Sequence, residues 1–284
     1  MKLKLNIIGC GRLGKTLAFL LKKTNQVFIQ DIYNSSISSS ENAVAFIGEG
    51  TACHSLKQFR SADLYLIATP DDSIETACKQ LVEQAAPKSR SVVFHASGLQ
   101  SSDSLESIRA TGCYTASVHP IFSFSNPLKD VENFVGTYCS LEGDVRALAV
   151  ISSLIADIGA QVFLLSKESK ALYHAACVLS SNYIVTLSAI AEDCYQKAGL
   201  PCDLAKALAN SLMMQSLNKL KDTSASKALT GPIQRGDKET LKKHLHVLKP
   251  FGELQQMYKS LGKSTVPLTE LVPELKEALV QLLS

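Results

Sequence analysis

Leu5-Asn6-Ile7-Ile8-Gly9-Cys10-Gly11-Arg12-Leu13-Gly14-Lys15-Thr16 is the stretch whose reading decides the fold. An apolar run ends in Gly9-x-Gly11-x-x-Gly14, and a helix-like segment follows at once. Strand, glycine turn and helix in that order are the context in which this pattern binds a dinucleotide. Gly9 permits the tight turn, Gly11 lets backbone approach a pyrophosphate, and Gly14 allows close packing of helix on strand. The helix N-terminus attracts the negative charge. Gly9, Cys10, Gly11, Arg12, Leu13 and Gly14 are therefore the expected cofactor loop. Asp31 closes the second apolar run, 17 residues past Gly14. A carboxylate there can accept both ribose hydroxyls of an adenosine.

The same residues carry a rival pattern. Gly9 to Thr16 also spells G-x-x-x-x-G-K-T, in which Lys15 would reach phosphates and Thr16 would hold Mg²⁺. Gly11 has no role in that pattern, whereas Leu13 starts an amphipathic helix and Asp31 sits where a ribose needs it. The dinucleotide is favoured, and a nucleotide hydrolase is kept as an alternative.

Composition narrows the class. The chain of 284 residues has room for one large or two ordinary domains. Its net charge of +3, with no basic block, argues against a nucleic-acid partner. Eight cysteines scattered without any C-x-x-C read as reduced thiols in a cytoplasmic protein, not as a disulfide or metal framework. Residues 171–191 lack Asp, Glu, Lys and Arg but hold His174, Ser180, Ser181, Asn182, Thr186 and Ser188. That polar density is expensive in lipid, so the expectation is a helix buried on most sides of a domain and no membrane partner.

Apolar runs alternate with helix-like segments over residues 1–165, as in a doubly wound α/β domain with a mainly parallel sheet. Strands are expected at 4–9, 26–31, 51–54, 63–68, 91–96, 113–118, 136–141 and 161–165. From 166 to 284 no strand pattern recurs, which predicts an all-helical second domain. Its first helix would be capped by Ser166 and run to about Lys197. In an open parallel sheet, ligands bind beyond the carboxyl ends of the strands. Those ends carry the glycine loop, Asp31, Thr69-Pro70-Asp71, His95-Ala96-Ser97-Gly98 and His119-Pro120. Thr69, Pro70 and Ser97 join the cofactor candidates, while Asp71 reads as a helix cap. The serines at 35–40 lie where an NADP 2′-phosphate would.

Two further clusters bear chemistry. Lys170, His174, Val178, Ser181 and Asn182 recur at intervals of three and four and share a helix face. Arg235, in Leu229-Thr230-Gly231-Pro232-Ile233-Gln234-Arg235-Gly236-Asp237, can fork onto a carboxylate. Lys170 and His174 are candidate proton donors, Asn182 a substrate-orienting group and Arg235 a carboxylate ligand.

The glycine motif, His95-Ala-Ser-Gly98, Val118-His-Pro120, Lys170-Ala-Leu-Tyr-His-Ala-Ala176 with Ser181-Asn182, and the 229–237 loop together resemble a known group. Its members pair a Rossmann-like NAD(P)-binding domain with a C-terminal helical domain originally of unknown function. The architecture is similar to that of 6-phosphogluconate dehydrogenase. Some members are alternative ketopantoate reductases. The resemblance implies reduction of a small 2-oxo acid, 2-dehydropantoate, by NADPH or NADH, in a homodimer. Ordinary ketopantoate reductases carry Lys-x-x-x-Asn-x-x-x-Asn, where this chain has Lys170, His174 and Val178. Only the lysine is matched in place. A dinucleotide-binding regulator without turnover is the alternative from a different class.

Overall fold

The computed structural model describes residues 2–284, which divide into two compact units, 2–182 and 183–284. In the first unit strands and helices alternate: β1 Leu3–Ile8, α1 Arg12–Lys23, β2 Val27–Tyr33, α2 Ile37–Ile47, β3 Thr51–Cys53, β4 Leu64–Ile67, α3 Ile74–Ala85 and β5 Val92–His95. The order continues with α4 Glu106–Arg109, β6 Tyr114–Pro120, α5 Pro127–Asn133, β7 Tyr138–Gly143, α6 Val145–Asp157, β8 Gln161–Leu164 and α7 Lys170–Ser180. The eight strands form one sheet in the order β3-β2-β1-β4-β5-β6-β7-β8. All pairs are parallel except β6 with β7, which meet antiparallel. All eight expected strands are present, with bounds moved by a few residues.

Chain direction in the sheet reverses its spatial progress between β1 and β4, so the two βα loops there diverge and leave a crevice. The central strands are buried on both faces, as parallel strands covered by helices must be. Leu5, Ile7, Ile29, Leu66 and Phe94 pack under α1, α2 and α6, and Ile8, Tyr65, Ile67 and Val93 under α3 and α4.

The second unit is helical throughout: α8 Asn182–Lys197, α9 Cys202–Asp222, α10 Ala225–Ala228, α11 Pro232–Arg235, α12 Lys238–Leu248, α13 Gly252–Thr265 and α14 Pro273–Leu282. Asp237 caps α12 by accepting the Thr240 N–H at 3.0 Å, as its sequence position leads one to expect. A small core gathers Leu241, Val266, Leu279 and Leu283.

One expectation for this region fails. Within 167–197 an 18-residue window does have a mean hydropathy of 1.3, enough by length and composition to cross a membrane. The stretch is not one helix buried on most sides. The backbone breaks at Ser181, with φ −128° and ψ −68°. Only Lys170 of α7 is buried, and no residue of α8 is. Ser166 makes no cap bond either; its hydroxyl meets that of Ser169 at 2.9 Å. Periodicity told of an apolar stripe without telling what would cover it.

Candidate active site

The loop after β1 turns through Gly9 at φ +81°, and a Cβ there would stand 2.7 Å from the Thr69 side chain and 2.8 Å from its backbone nitrogen. Only glycine fits. Gly14 packs 3.3 Å from the Gly9 carbonyl oxygen by the same measure, bringing α1 onto the strand. At Gly11, by contrast, an added Cβ would meet nothing within 4 Å. The space is open on the ligand side, and no side chain caps the start of α1. The first-turn amides are therefore turned toward that space without a protein side chain to satisfy them. Burial pushes the Cys10 thiol up to about 12, so it is a packing residue of the loop and not a nucleophile.

A cleft of about 550 Å³ opens beside this loop, lined by Gly9, Gly11, Asn34, Ser35, Thr69 and Pro70 among others. Two buried polar atoms on its walls, Asn34 Nδ2 and Thr69 Oγ1, have no protein partner. Such orphans call for a ligand or water. A neighbouring hollow of about 460 Å³ is lined by Cys10, Gly11, Lys15, Asn34, Ser35, Ser38, Ser39 and Asn42.

Asp31 is not at this cleft. β2 runs two residues beyond it to Tyr33, and the Asp31 carboxylate is 1% exposed. Arg60 holds it, donating from its backbone N–H at 2.7 Å and from Nη2 at 2.5 Å. The expected ribose contact is thereby replaced by an ion pair between the buried Asp31 and an exposed Arg60, and the residues at the strand end are Asn34 and Ser35. The phosphate-hydrolase pattern also loses its metal ligand. Thr16 is buried and its hydroxyl donates back to the Arg12 carbonyl at 2.9 Å, while Lys15 is bonded to Asn42.

A polar cluster lies at the carboxyl ends of β5 and β6. His95 is fully buried. Its Nδ1 accepts the Ser97 N–H at 3.1 Å and its Nε2 donates to the Ser101 carbonyl at 3.0 Å, which fixes the neutral tautomer. Burial, aided by the Lys170 charge, holds its pKa down at about 4. The Ser97 hydroxyl donates to Asp71 at 2.7 Å and accepts the Leu99 and Gln100 amides. Asp71 therefore braces the 97–100 loop and makes no side-chain cap of its own helix. Lys170 is 1% exposed; Nζ donates to the Ser97 carbonyl at 3.1 Å and to Ser117 Oγ at 2.7 Å. Burial lowers its pKa to about 8, with Glu142 and Asp71 acting to raise it.

Above Lys170 the exposed side of α7 forms a second cleft of about 530 Å³, walled by His119, Phe122, Tyr173, His174, Ser181 and Asn182 among others. Gly98 packs against two of its lining side chains. A Cβ on Gly98 would lie 2.6 Å from His174 Nδ1 and 2.7 Å from His119 Nε2, so both imidazoles converge there. The two rings stand edge to face, 5.9 Å between centroids. His174 Nδ1 is buried without a partner. Burial and the Lys170 charge hold His119 at about 4.

The structure brings His174 of α7 and Asn182, the first residue of α8, to one cleft although the backbone breaks between them at Ser181. Lys170 shares α7 with His174 but is buried and bonded to protein. Thr69 and Pro70 reach the first cleft, and Ser97 serves the loop between β5 and α4. Arg235 is exposed on α11 of the second unit. Sequence reasoning passed over His119, Tyr173 and Gly98 as site residues. His119 did stand at a strand end, but Tyr173 on an apolar helix reads as core, and nothing local marks Gly98 as packed against two imidazoles.

Comparison with known proteins agrees with this architecture. No curated protein matches the chain. Protein TM1727 from Thermotoga maritima is 26% identical, with 98% of each chain covered and a TM-score of 0.68. Protein BF3122 from Bacteroides fragilis, provisionally named an NADP oxidoreductase, is 20% identical over 94% of this chain and 98% of its own, with a TM-score of 0.74. Plasmodium falciparum pyrroline carboxylate reductase, solved with NADP bound, is 13% identical over 99% of this chain and 98% of its own, with a TM-score of 0.58. Family models match in two places: residues 1–120 to the Rossmann-like domain and residues 137–265 to the domain of unknown function DUF2520. The first match ends with β6 and the second runs from the start of β7 to the end of α13.

Proposed function

We propose that the protein is an NAD(P)H-dependent oxidoreductase that reduces a small 2-oxo acid, with 2-dehydropantoate the first candidate. The observation that carries the reading is the open glycine cradle and its orphaned donors in one unit with a cleft holding two convergent histidines. The NADP-linked names of BF3122 and of the Plasmodium reductase support it. The cofactor would be held by the amides opening α1, by Asn34 and Ser35 at the end of β2 and by Thr69. When bound, its nicotinamide would supply the hydride.

NADPH is the preferred form. No acidic side chain lines the hollow around Ser35, Ser38 and Ser39, and Lys15 stands on its wall. With Asp31 consumed by Arg60, no carboxylate repels a 2′-phosphate at the strand end.

Reduction of a carbonyl builds negative charge on its oxygen, which needs hydrogen bonds and a proton. His174 and His119 offer ring nitrogens at the cleft, and His174 is the proposed proton donor. Lys170, with Nζ on Ser97 and Ser117, holds the two strand ends beneath them and is a positioning residue in this reading. Asn182 is proposed to orient the substrate and Arg235 to bind its carboxylate. A homodimer is proposed because α8 buries none of its residues within the chain. The test is loss of nicotinamide absorbance with NADPH and NADH, each against 2-dehydropantoate and a panel of 2-oxo acids. NADPH should be consumed faster. Ser35→Asp should reduce the NADPH preference by about tenfold, roughly 1.4 kcal/mol. Absence of turnover with every acid while NADPH binds would favour the alternative of a dinucleotide-binding regulator.

A further inference from the structure

We propose that Tyr173 is a positioning residue that sets the proton of His119, directing an Nε2–H into the α7 cleft as the hydrogen-bond donor to the substrate's carbonyl oxygen. The role at the carbonyl rests on the reductase reading; the proton placement does not.

The Tyr173 hydroxyl lies 2.8 Å from His119 Nδ1, with the rings edge to face at 5.6 Å. Burial pushes the Tyr173 phenol up to about 12, so it keeps its proton. A neutral imidazole offers one lone pair and one N–H. Ser140 and Cys177 also meet the Tyr173 hydroxyl; in the proposed assignment its proton goes to the lone pair at Nδ1, which leaves the ring proton on Nε2. His119 lines the α7 cleft, and glycine at 98 is what lets the ring seat there, since a Cβ at that position would stand 2.7 Å from Nε2 and 2.6 Å from His174 Nδ1.

The groups facing His119 reinforce the neutral form. Burial is the largest influence lowering its proton affinity, Lys170 and His174 from α7 lower it further, and Asp71 from the loop after β4 raises it. A neutral donor is suited to a developing oxyanion because it need not lose its proton during the reaction. His174 then delivers the proton, and Tyr173 itself never touches substrate. His244 and Tyr258 of the second unit show the same 2.8 Å pairing and provide an internal comparison.

The test is nitrogen NMR of the full chain carrying ¹⁵N-labelled histidine, without cofactor. His119, assigned by the signal lost in His119→Gln, should carry its proton on Nε2 from pH 6 to 9. Tyr173→Phe should mix the tautomers, lower kcat by about tenfold or more and leave KM for NADPH unchanged. A wild-type His119 protonated on Nδ1, or one that titrates near 6.5, overturns the proposal without any variant needing to fold. An unchanged tautomer in folded Tyr173→Phe overturns it as well. Should the reductase reading fail, no turnover would appear, yet the tautomer would still be decided by the spectrum.

Discussion

Both nitrogens of His95 are held by the loop that follows its own strand, and the ring has no access to water. Its pKa is lowered to about 4 in the folded chain, against about 6.5 when unfolded. Between those values the unfolded chain binds the proton and the folded one does not. Stability is therefore intact above pH 6.5 and falls as the pH drops toward 4. At about 1.4 kcal/mol per unit, this ring alone accounts for about 3 kcal/mol over the window. Thermal melts across pH 4–7 should show the decline, and His95→Gln should flatten it. A wild-type melting temperature that does not change over that range would refute the burial argument. His119 titrates in the same sense, so some slope should survive in the variant.

Within elements, the three glycines of the first βα turn do different work, and substitution separates them. Gly9→Ala meets a left-handed φ and contacts under 3 Å to Thr69 and Ala68. It should cost roughly 3 kcal/mol of stability, seen in a denaturant midpoint. An unshifted midpoint would contradict the packing described. Much of this level could be read from the sequence. The glycine spacing, the eight alternating strands and the Asp237 cap are local signals, and each is present. Asp31 misled because a strand's last residue cannot be read from composition; Ile32 and Tyr33 extend β2, and the partner Arg60 is 29 residues away. The cleft beside Gly98 was illegible for the same reason, since β5, β6 and α7 meet there only after the sheet has formed. The broken, uncovered stretch after Ser181 shows that apolar periodicity fixes a face and not its partner.

At the scale of the whole molecule, the uncovered apolar surface of α8 and α9 needs an explanation. Val185 is 71% exposed, and Leu212 and Met214 are each more than half exposed. Isolated apolar residues on a surface are ordinary, but runs of them on long helices mark contact surfaces. The proposed homodimer, formed through the second unit, would account for them. Light scattering at micromolar concentration should give twice the 30.7 kDa chain mass. Leu212→Glu should shift the population toward monomer. A monomeric wild type would remove this part of the account.

Every part of the functional proposal depends on a dinucleotide seated against the open face of Gly11. Titration of NADPH into the wild-type chain and into Gly11→Val, followed by quenching of the bound nicotinamide or by calorimetry, tests this most directly. Because a Cβ at Gly11 meets nothing within 4 Å, the variant should fold with an unchanged melting temperature. The account predicts saturable NADPH binding by the wild type, weaker binding of NADH, and a loss of at least about a hundredfold, roughly 2.7 kcal/mol, in Gly11→Val. No NADPH binding by the wild type, or equal binding by the folded variant, would contradict it.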